Sequence, residues 1–320
     1  MPIDNLNGLS NDLRNIEREF KHKIEPYRTD LWKYCYKLTR SPWDAEDLVQ
    51  ETLLKSLSML AKLFQPVNTK AYLFKIATNL WIDQVRKHHN VMLFDEHLFQ
   101  QIDTDEDLHL YENIEILVKE LTPIQYVVLL LADSFQYKGK EIAEILATTE
   151  GAVHTNLSRA RDCLRKSKSN ETKKHSSRKS INREVTTNSE IDVLLKGFRE
   201  KDPVLIASIL DDNVVTDITH SGVEMGKKET LKNSLKDWTE IVHTQHIIYS
   251  EYVELWGRPV ILEFERKQDQ KLYLNNIHFF EIIDSKVTYW KFYCFSWDIM
   301  QLVARELEVG LNAEYFYHIF

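Results

Sequence analysis

Glycine and proline are scarce in this chain, 8 and 7 among 320 residues. That excludes an architecture of frequent tight turns and any collagen-like or proline-rich repeat. Cysteine is scarcer still. Cys35, Cys163 and Cys294 lie far apart, with neither an even-numbered disulfide framework nor the close spacing of a metal site, which points to free thiols in a reducing compartment. Long apolar runs are missing too: the longest, residues 126–132, has seven residues, against the ~20 that a membrane helix needs. Residues 1–11 are polar and carry acids, unlike a secretion signal. These absences lead to the expectation of a soluble cytoplasmic protein with no membrane partner, no metal and no cofactor.

What is present is ordinary in amount and uneven in placement. Hydrophobic residues make up 43% and charged residues 28%, values typical of globular chains, and the length suggests two or three domains. The net charge of −8 argues at first sight against nucleic acid. Its distribution says otherwise. Residues 1–90 carry 14 basic against 11 acidic side chains, and 121–187 carry 12 against 7. Between them, residues 91–120 hold nine acids and one base, and 188–320 hold 22 acids against 14 bases. Two mildly basic segments are thus separated by an acidic connector and followed by an acidic domain.

Helical spacing dominates the first half. Leu13, Ile16, Phe20, Ile24, Tyr27, Leu31, Tyr34 and Leu38 trace one stripe over 9–40, with Pro26 marking a break or a helix start. Ser41 and Pro42 supply an N-cap and a first-turn proline for a helix reaching about residue 64. Another helix spans about 70–88, and residues 89–113 look like a loop-rich connector. Further helices are expected at 111–120, 124–133, 139–147 and 150–166. Residues 167–188 are polar and basic and read as a linker. Beyond it, helices at about 189–200, 202–211 and 227–240 give way to alternating aromatic-rich strands at 246–256, 259–266, 271–283 and 286–296, with Asp284-Ser285 as a hairpin turn. Helices first and strands after make this last part an α+β domain.

Three segments carry the chemistry. In Asp44-Ala-Glu-Asp-Leu-Val-Gln-Glu-Thr52, acids at helical spacing suit arginines on a partner; complementing the helix dipole alone accounts for Asp44 and Glu46 but not for Glu51. The helix around Trp81-Ile-Asp-Gln-Val-Arg-Lys87 mixes an aromatic ring with bases. Helix 150–166 buries Val153, Leu157, Ala160 and Leu164 on one stripe and carries His154, Thr155, Ser158, Arg159, Arg161 and Arg165 on the other, donors suited to base edges and phosphates. Alone, that helix serves equally as a solvated amphipathic helix of any bundle.

Together these segments resemble a family. Leu121-Thr-Pro-Ile-Gln-Tyr, Lys140-Glu-Ile-Ala-Glu-Ile-Leu146 and Gly151-Ala-Val-His-Thr-Asn-Leu-Ser-Arg-Ala-Arg161 resemble the DNA-binding region four of extracytoplasmic-function sigma factors. Asp44–Thr52 and Ala71-Tyr-Leu-Phe-Lys-Ile-Ala-Thr-Asn-Leu-Trp-Ile-Asp83 resemble region two. The resemblance covers about residues 10–167. It implies that Asp44, Glu46, Asp47, Gln50 and Glu51 dock on core RNA polymerase, and that Lys70, Lys75, Asn79, Trp81, Arg86 and Lys87 act at the minus-ten promoter element. There, bases serve phosphates and Asn79 serves an extruded nucleobase. Trp81 suits either stacking on DNA or the core. Thr149, Gly151, His154, Thr155, Ser158, Arg159, Arg161 and Arg165 would contact the minus-thirty-five element. Some positions depart from the family pattern: Ala147 stands for a glycine usual in the turn, Thr148 for an apolar residue, Asn156 for an arginine and His154 for a lysine.

The resulting organisation is 1–90 for polymerase docking and minus-ten recognition, 91–112 as acidic linker, 113–167 as helix-turn-helix, 168–187 as basic flexible linker, 188–300 as regulatory domain and 301–320 as a tail helix. Residues 188–300 resemble the polyketide-cyclase-like or nuclear-transport-factor-two-like cone, on the pattern of Lys201–Val215, Gly226–Leu231 and the long strands after them. Such a cone implies a cavity, for which Asp217, His220, Tyr273, His278 and Tyr289 are candidates, and in sigma factors so extended it implies regulation through an intramolecular contact. No acid–base pair stands out, so no catalysis is expected. Two other readings are an isomerase-type or ligand-binding cone with a DNA-binding half, and a helix-turn-helix repressor. Neither needs a polymerase-docking helix or the Asn79–Trp81 segment.

Overall fold

The computed structural model describes residues 4–60, 68–89, 121–167 and 181–312, in two compact units, residues 1–178 and 179–320. The acidic linker at 91–112, the helix expected at 111–120 and the basic stretch 168–180 lie outside the described residues. Among the described residues no helix is long and apolar enough to cross a membrane.

The first unit begins with three helices, α1 (Asp4–Thr39), α2 (Pro42–Leu60) and α3 (Thr69–His89). Pro26 neither breaks nor starts a helix, as was expected of it, but lies inside α1. It is exposed, so the carbonyl one turn back that loses its amide partner is left facing water. Arg40 takes a left-handed φ of 64° to end α1, and the Ser41 hydroxyl accepts from the Asp44 amide at 3.3 Å, so the cap expected at Ser41-Pro42 forms. Leu31, Tyr34, Cys35 and Leu38 of α1 are buried, as are Ala45, Leu48 and Val49 of α2 and Leu73, Phe74 and Ala77 of α3.

α4 (Pro123–Leu129) opens on a capping box in which the Gln125 amide donates to the Thr122 hydroxyl and the Gln125 side chain accepts from the Thr122 amide. It runs into a π-helical turn, Leu130–Ser134. α5 (Gly139–Leu146) and α6 (Glu150–Ser167) follow as a helix-turn-helix. Ala147 ends α5 in the left-handed region, φ 51°, the conformation for which a glycine at this position is suited. Ala147→Gly should therefore raise stability by about 1 kcal/mol, the cost a Cβ incurs there. Thermal unfolding checks this, and an unchanged or lower midpoint would show that the turn carries no strain.

The second unit is one sheet with helices on it. After β1 (Ile181–Asn182) come α7 (Ser189–Glu200), α8 (Pro203–Ser208), β2 (Leu210–Ile218), β3 (Gly222–Met225), α9 (Lys227–Lys232) and α10 (Ser234–Thr244). The strands β4 (Ile247–Leu255), β5 (Arg258–Arg266), β6 (Leu272–Ile283) and β7 (Lys286–Phe292) follow, then α11 (Trp297–Glu306) and β8 (Gly310–Leu311). The order is β1-β4-β5-β6-β7-β2-β3, antiparallel except for β2 beside β7, with β8 added parallel to β6. Ile191, Leu194, Phe198, Leu235, Trp238, Ile261 and Trp290 belong to one core cluster, which places α7 and α10 against one face of the sheet. Asp284 and Ser285 both adopt positive φ, 50° and 59°, as the expected hairpin requires.

Three expectations need correcting here. The linker expected over 168–187 ends before Ile181, because Ile181 and Asn182 pair with Leu255 and Glu254 at the edge of the sheet. The helix expected over 202–211 stops at Ser208, and a strand begins at Leu210. Asp211-Asp-Asn213 hid that strand by interrupting the alternation, and the pairing with β7 is irregular between Leu210 and Val215. The expected tail helix starts earlier, at Trp297, and ends at Glu306. Glu308 then turns with φ 56°, and Gly310 and Leu311 pair with Tyr273 and Leu274. Gly310 is required there, since a Cβ would fall 2.3 Å from the Tyr273 ring. Residues 313–320 lie outside the described residues.

Candidate partner and nucleic-acid surfaces

α2 presents one outward stripe, Asp44, Asp47, Glu51, Leu54, Lys55 and Ser58, at the three- and four-residue spacing of a helix face. Glu46 is not part of it, which corrects the sequence assignment. It is 1% exposed and accepts a 2.8 Å hydrogen bond from Trp32 Nε1, so it is a core carboxylate. The signal was present in the spacing: two residues after Asp44 a helix has turned by about 200°. Gln50 is half-buried. Leu54, 62% exposed just past the last of the acids, was missed because the segment weighed for docking ended at Thr52. Its spacing of three from Glu51 would have found it. The Gln84 amide of α3 donates to Glu51 Oε2 at 3.3 Å and ties the acidic stripe to the next helix.

Along α3, Asn79, Asp83, Arg86 and Lys87 are exposed, and Lys75 is half-buried. Trp81 is on another side, 7% exposed, its ring 5.7 Å from that of Tyr126. Asn79 and Trp81 are two residues apart, hence about 200° apart around the helix, and cannot serve one DNA strand together. Trp81 is a core residue. Lys70 is paired with Asp30 and lies 5.7 Å from the centre of the Phe74 ring. Burial pulls its ammonium down, but the hydrogen bond and charge of Asp30 outweigh burial, and it is held above the usual lysine range. Arg86 pairs loosely with Asp83 at 3.9 Å.

α6 starts with the Thr149 hydroxyl accepting from the Ala152 amide at 3.2 Å. Thr149, Gly151, His154, Thr155, Ser158, Arg159, Arg161 and Arg165 are all exposed, while Val153 and Ala160 are fully buried. The face is therefore continuous, but its cations differ. Arg161 is pinned to Asp133 at 2.6 Å, Arg165 lies 3.1 Å from Asp162, and His154 is 3.6 Å from Glu150. Asp162, an acid that the basic pattern of this helix obscured, lies within the same exposed face. Arg159 has no ion-pair partner among the described residues.

These two helical parts also pack on each other. Tyr34 and Phe74 stack at 4.3 Å, and Phe135, just past the π-helical turn, stands edge-on to both at 5.4 Å. Tyr137 adds its ring 5.9 Å from Phe74, and the Tyr126 hydroxyl donates to the Lys37 carbonyl. Burial raises the Tyr34 phenol far above the ordinary value and raises Tyr137 less.

Residues 24–91 match the family described as Sigma-70 region 2, and 111–164 match Sigma-70, region 4. The helical half carries regions 2 and 4 of the sigma-70 family. The chain is 30% identical over 176 residues to the ECF RNA polymerase sigma factor SigG of Mycobacterium tuberculosis, covering 46% of this chain and 48% of that protein. It is thus matched over about half the length of that relative. It is 27% identical over 145 residues to the RNA polymerase sigma factor SigV of Bacillus subtilis, covering 44% of this chain and 86% of that protein. Among solved structures, the extracytoplasmic function sigma factor SigJ of Mycobacterium tuberculosis aligns over 85% of this chain and 95% of its own, at 18% identity and a TM-score of 0.34. Regions 2 and 4 are followed by the mixed-sheet domain.

In that domain the five cavity candidates do not converge. His278 is fully buried, stacked on Phe198 at 4.4 Å, with Nε2 3.3 Å from Glu263 Oε2 and Nδ1 accepting from Trp290 Nε1 at 3.3 Å. Glu263 also accepts from Trp238 Nε1 at 2.8 Å and from Asn275 Nδ2 at 3.0 Å, so the space expected for a ligand is filled by a satisfied polar core. Tyr289 and Lys291 flank Trp290 in β7 and so face the opposite side of the sheet. There the Tyr289 hydroxyl donates to Asp217 at 2.7 Å, and Lys291 lies 3.6 Å from the same oxygen. His220 sits in the β2–β3 turn with φ 67°, and Tyr273 is packed under Lys267 and against Gly310. An open hollow of about 500 Å³, lined by Thr244, Gln245, His246, Glu265, Lys267, Gln268 and Asp269, lies elsewhere on the domain.

Proposed function

We propose that this chain is a sigma factor that binds core RNA polymerase, directs initiation at promoters with its two DNA-binding regions, and is regulated in cis by its C-terminal sheet domain. The carrying observation is regions 2 and 4 in one chain, with an outward acidic stripe (Asp44, Asp47, Glu51) on the first and an outward polar-basic helix on the second. Carboxylates on that stripe suit a basic partner surface, with Leu54 as its apolar anchor. On α3, Asn79, Arg86 and Lys87 serve the minus-ten element. On α6, Gly151, His154, Thr155 and Ser158 lie where base edges are read and Arg159 and Arg165 where phosphates are met. The work takes place in the cytoplasm, on DNA, without catalysis by this chain. The sealed Glu263–His278 pair gives an isomerase-type reading no open site, and a repressor would have no use for the α2 stripe.

The packed arrangement is a resting form under this reading. The two promoter elements are separated by roughly 25 base pairs, about 85 Å at 3.4 Å per pair. Regions touching through Tyr34, Phe74 and Phe135 cannot reach both, so the clasp opens on the polymerase. Co-elution of the full chain with purified core polymerase in gel filtration tests the assignment. The expected result is a stoichiometric complex at micromolar concentration, and separate elution would refute it.

The α6 face has its own test. Each phosphate contact removed should lower the slope of log affinity against log salt by about one. Arg159→Ala should do so in gel shifts at several salt concentrations. Arg161→Ala should change the slope less, because Asp133 already neutralises it. Parallel slopes for wild type and Arg159→Ala would mean that this face is not the DNA face.

A further inference from the structure

β3, Gly222-Val-Glu-Met225, is the last strand of the sheet order, and its alternation is inverted. Val223 pairs with Asp217 of β2, Glu224 with Thr216 and Met225 with Val215. Thr216 is buried and bonded to Thr230 of α9, so Glu224 shares the face that carries α9 and α10, where its Oε1 accepts from the Ser234 amide at 3.2 Å. Val223 and Met225 therefore point out of the other face, 59% and 67% exposed. An acid turned toward the helices and two apolar side chains turned to water reverse the usual pattern of a half-covered sheet. The backbone is open as well. The Gly226 amide donates to the Val214 carbonyl at 2.8 Å, so by alternation the backbone groups of Glu224 face β2 and those of Val223 and Met225 face away from it. Among the described residues no strand lies on that side. Glu224 Oε2 is buried with no hydrogen-bond partner among them. Burial raises this carboxyl above its ordinary range despite the Ser234 hydrogen bond, and the like charges of Asp237 and Glu229 push the same way.

We infer that β3 is a docking edge for an extended segment of another protein, added antiparallel as a further strand, with a lysine or arginine between two apolar residues. The apolar pair lies beside Val223 and Met225 and exchanges backbone hydrogen bonds with them, the usual source of affinity when a strand is added to a sheet. The basic residue falls opposite Glu224. That pair is not bonded through the backbone, so its side chains stand closest, and the cation gives Oε2 the donor it lacks. Charge and pattern exclude the other occupants. Two copies of β3 pairing about Glu224 would set this acid against itself, which is how an inward charge guards an edge against its own kind. The chain's own basic stretch, residues 168–180, contains no apolar residue for either flank.

The test uses the full chain and labelled peptides with a valine–lysine–valine centre. Fluorescence anisotropy should give saturable micromolar binding. Three altered peptides should each bind at least tenfold more weakly: one with glutamate for the lysine, one with the lysine slipped by a single place, and one with both valine amides N-methylated. The slipped peptide keeps its charge but turns every side chain to the wrong face, and the methylated one keeps its side chains but loses the backbone donors. Glu224→Gln should weaken the lysine peptide about tenfold, since the amide can still accept from Ser234 but carries no charge. Met225→Asp, at an exposed site, should weaken it at least as much with an unchanged thermal midpoint. Equal binding of the slipped or methylated peptide would mean attraction by net charge alone and would overturn the inference. So would indifference to both substitutions, or a dimer in sedimentation that Met225→Asp dissolves, which would make a second copy the occupant.

Discussion

Asp47→Arg combined with Glu51→Arg is expected to reduce binding to core polymerase at least a hundredfold. Both side chains are exposed on one face of α2, so reversing them leaves the fold intact while placing like charges against a basic partner. Such juxtaposition costs several kcal/mol, and about 1.4 kcal/mol is a factor of ten. Glu46→Ala is the informative contrast. It removes an acid from the same segment but also the acceptor of buried Trp32 Nε1, which should cost about 1–3 kcal/mol of stability. Its folded fraction should still bind. Titrating labelled protein with polymerase, next to a thermal melt, separates the two. Undiminished binding by the double mutant would remove the docking role from α2, and loss of binding by folded Glu46→Ala would place Glu46 on the interface after all.

That contrast also shows what one sequence discloses. The order of the helices, the Ser41-Pro42 cap and the helix-turn-helix were legible because they rest on local rules: capping, 3.6-residue spacing, a turn between two amphipathic segments. Composition named the acids of α2, and only helical phase separates Glu46 from Asp44, Asp47 and Glu51. The same phase argument removes Trp81 from the face of Asn79. The second unit was less legible. The interruption at Asp211-Asp-Asn213 concealed β2, and the pairing of Gly310 and Leu311 with β6 depends on a partner far away in sequence. Packing against the Glu263–His278 core, which decides that no ligand space opens at His278, is likewise non-local. No periodicity announces that His278 and Tyr289 lie on opposite faces of one sheet until the strand pairing is known.

Phe135→Asp is expected to open the helical half. The ring stands edge-on to Tyr34 and Phe74, and burying a carboxylate in that cluster without a partner is unfavourable by several kcal/mol. Phe135 joins region 4 to region 2 rather than holding either region together, so each should stay folded while the two separate. Small-angle scattering should report a larger radius of gyration. Binding to a DNA fragment carrying one element should strengthen several-fold, because the closed population no longer competes. An unchanged radius of gyration with unchanged DNA affinity would mean that the aromatic cluster does not control access to the DNA-binding faces.

The most direct measurement of the central claim is run-off transcription with purified core RNA polymerase and promoter templates selected from genomic DNA by the polymerase bound to this chain. The account predicts a discrete transcript that requires the full-length protein, disappears with Asp47→Arg/Glu51→Arg, and changes several-fold when the chain is truncated after Ser167. A chain that binds those templates yet yields no transcript with core polymerase would contradict it and leave a DNA-binding protein of another kind.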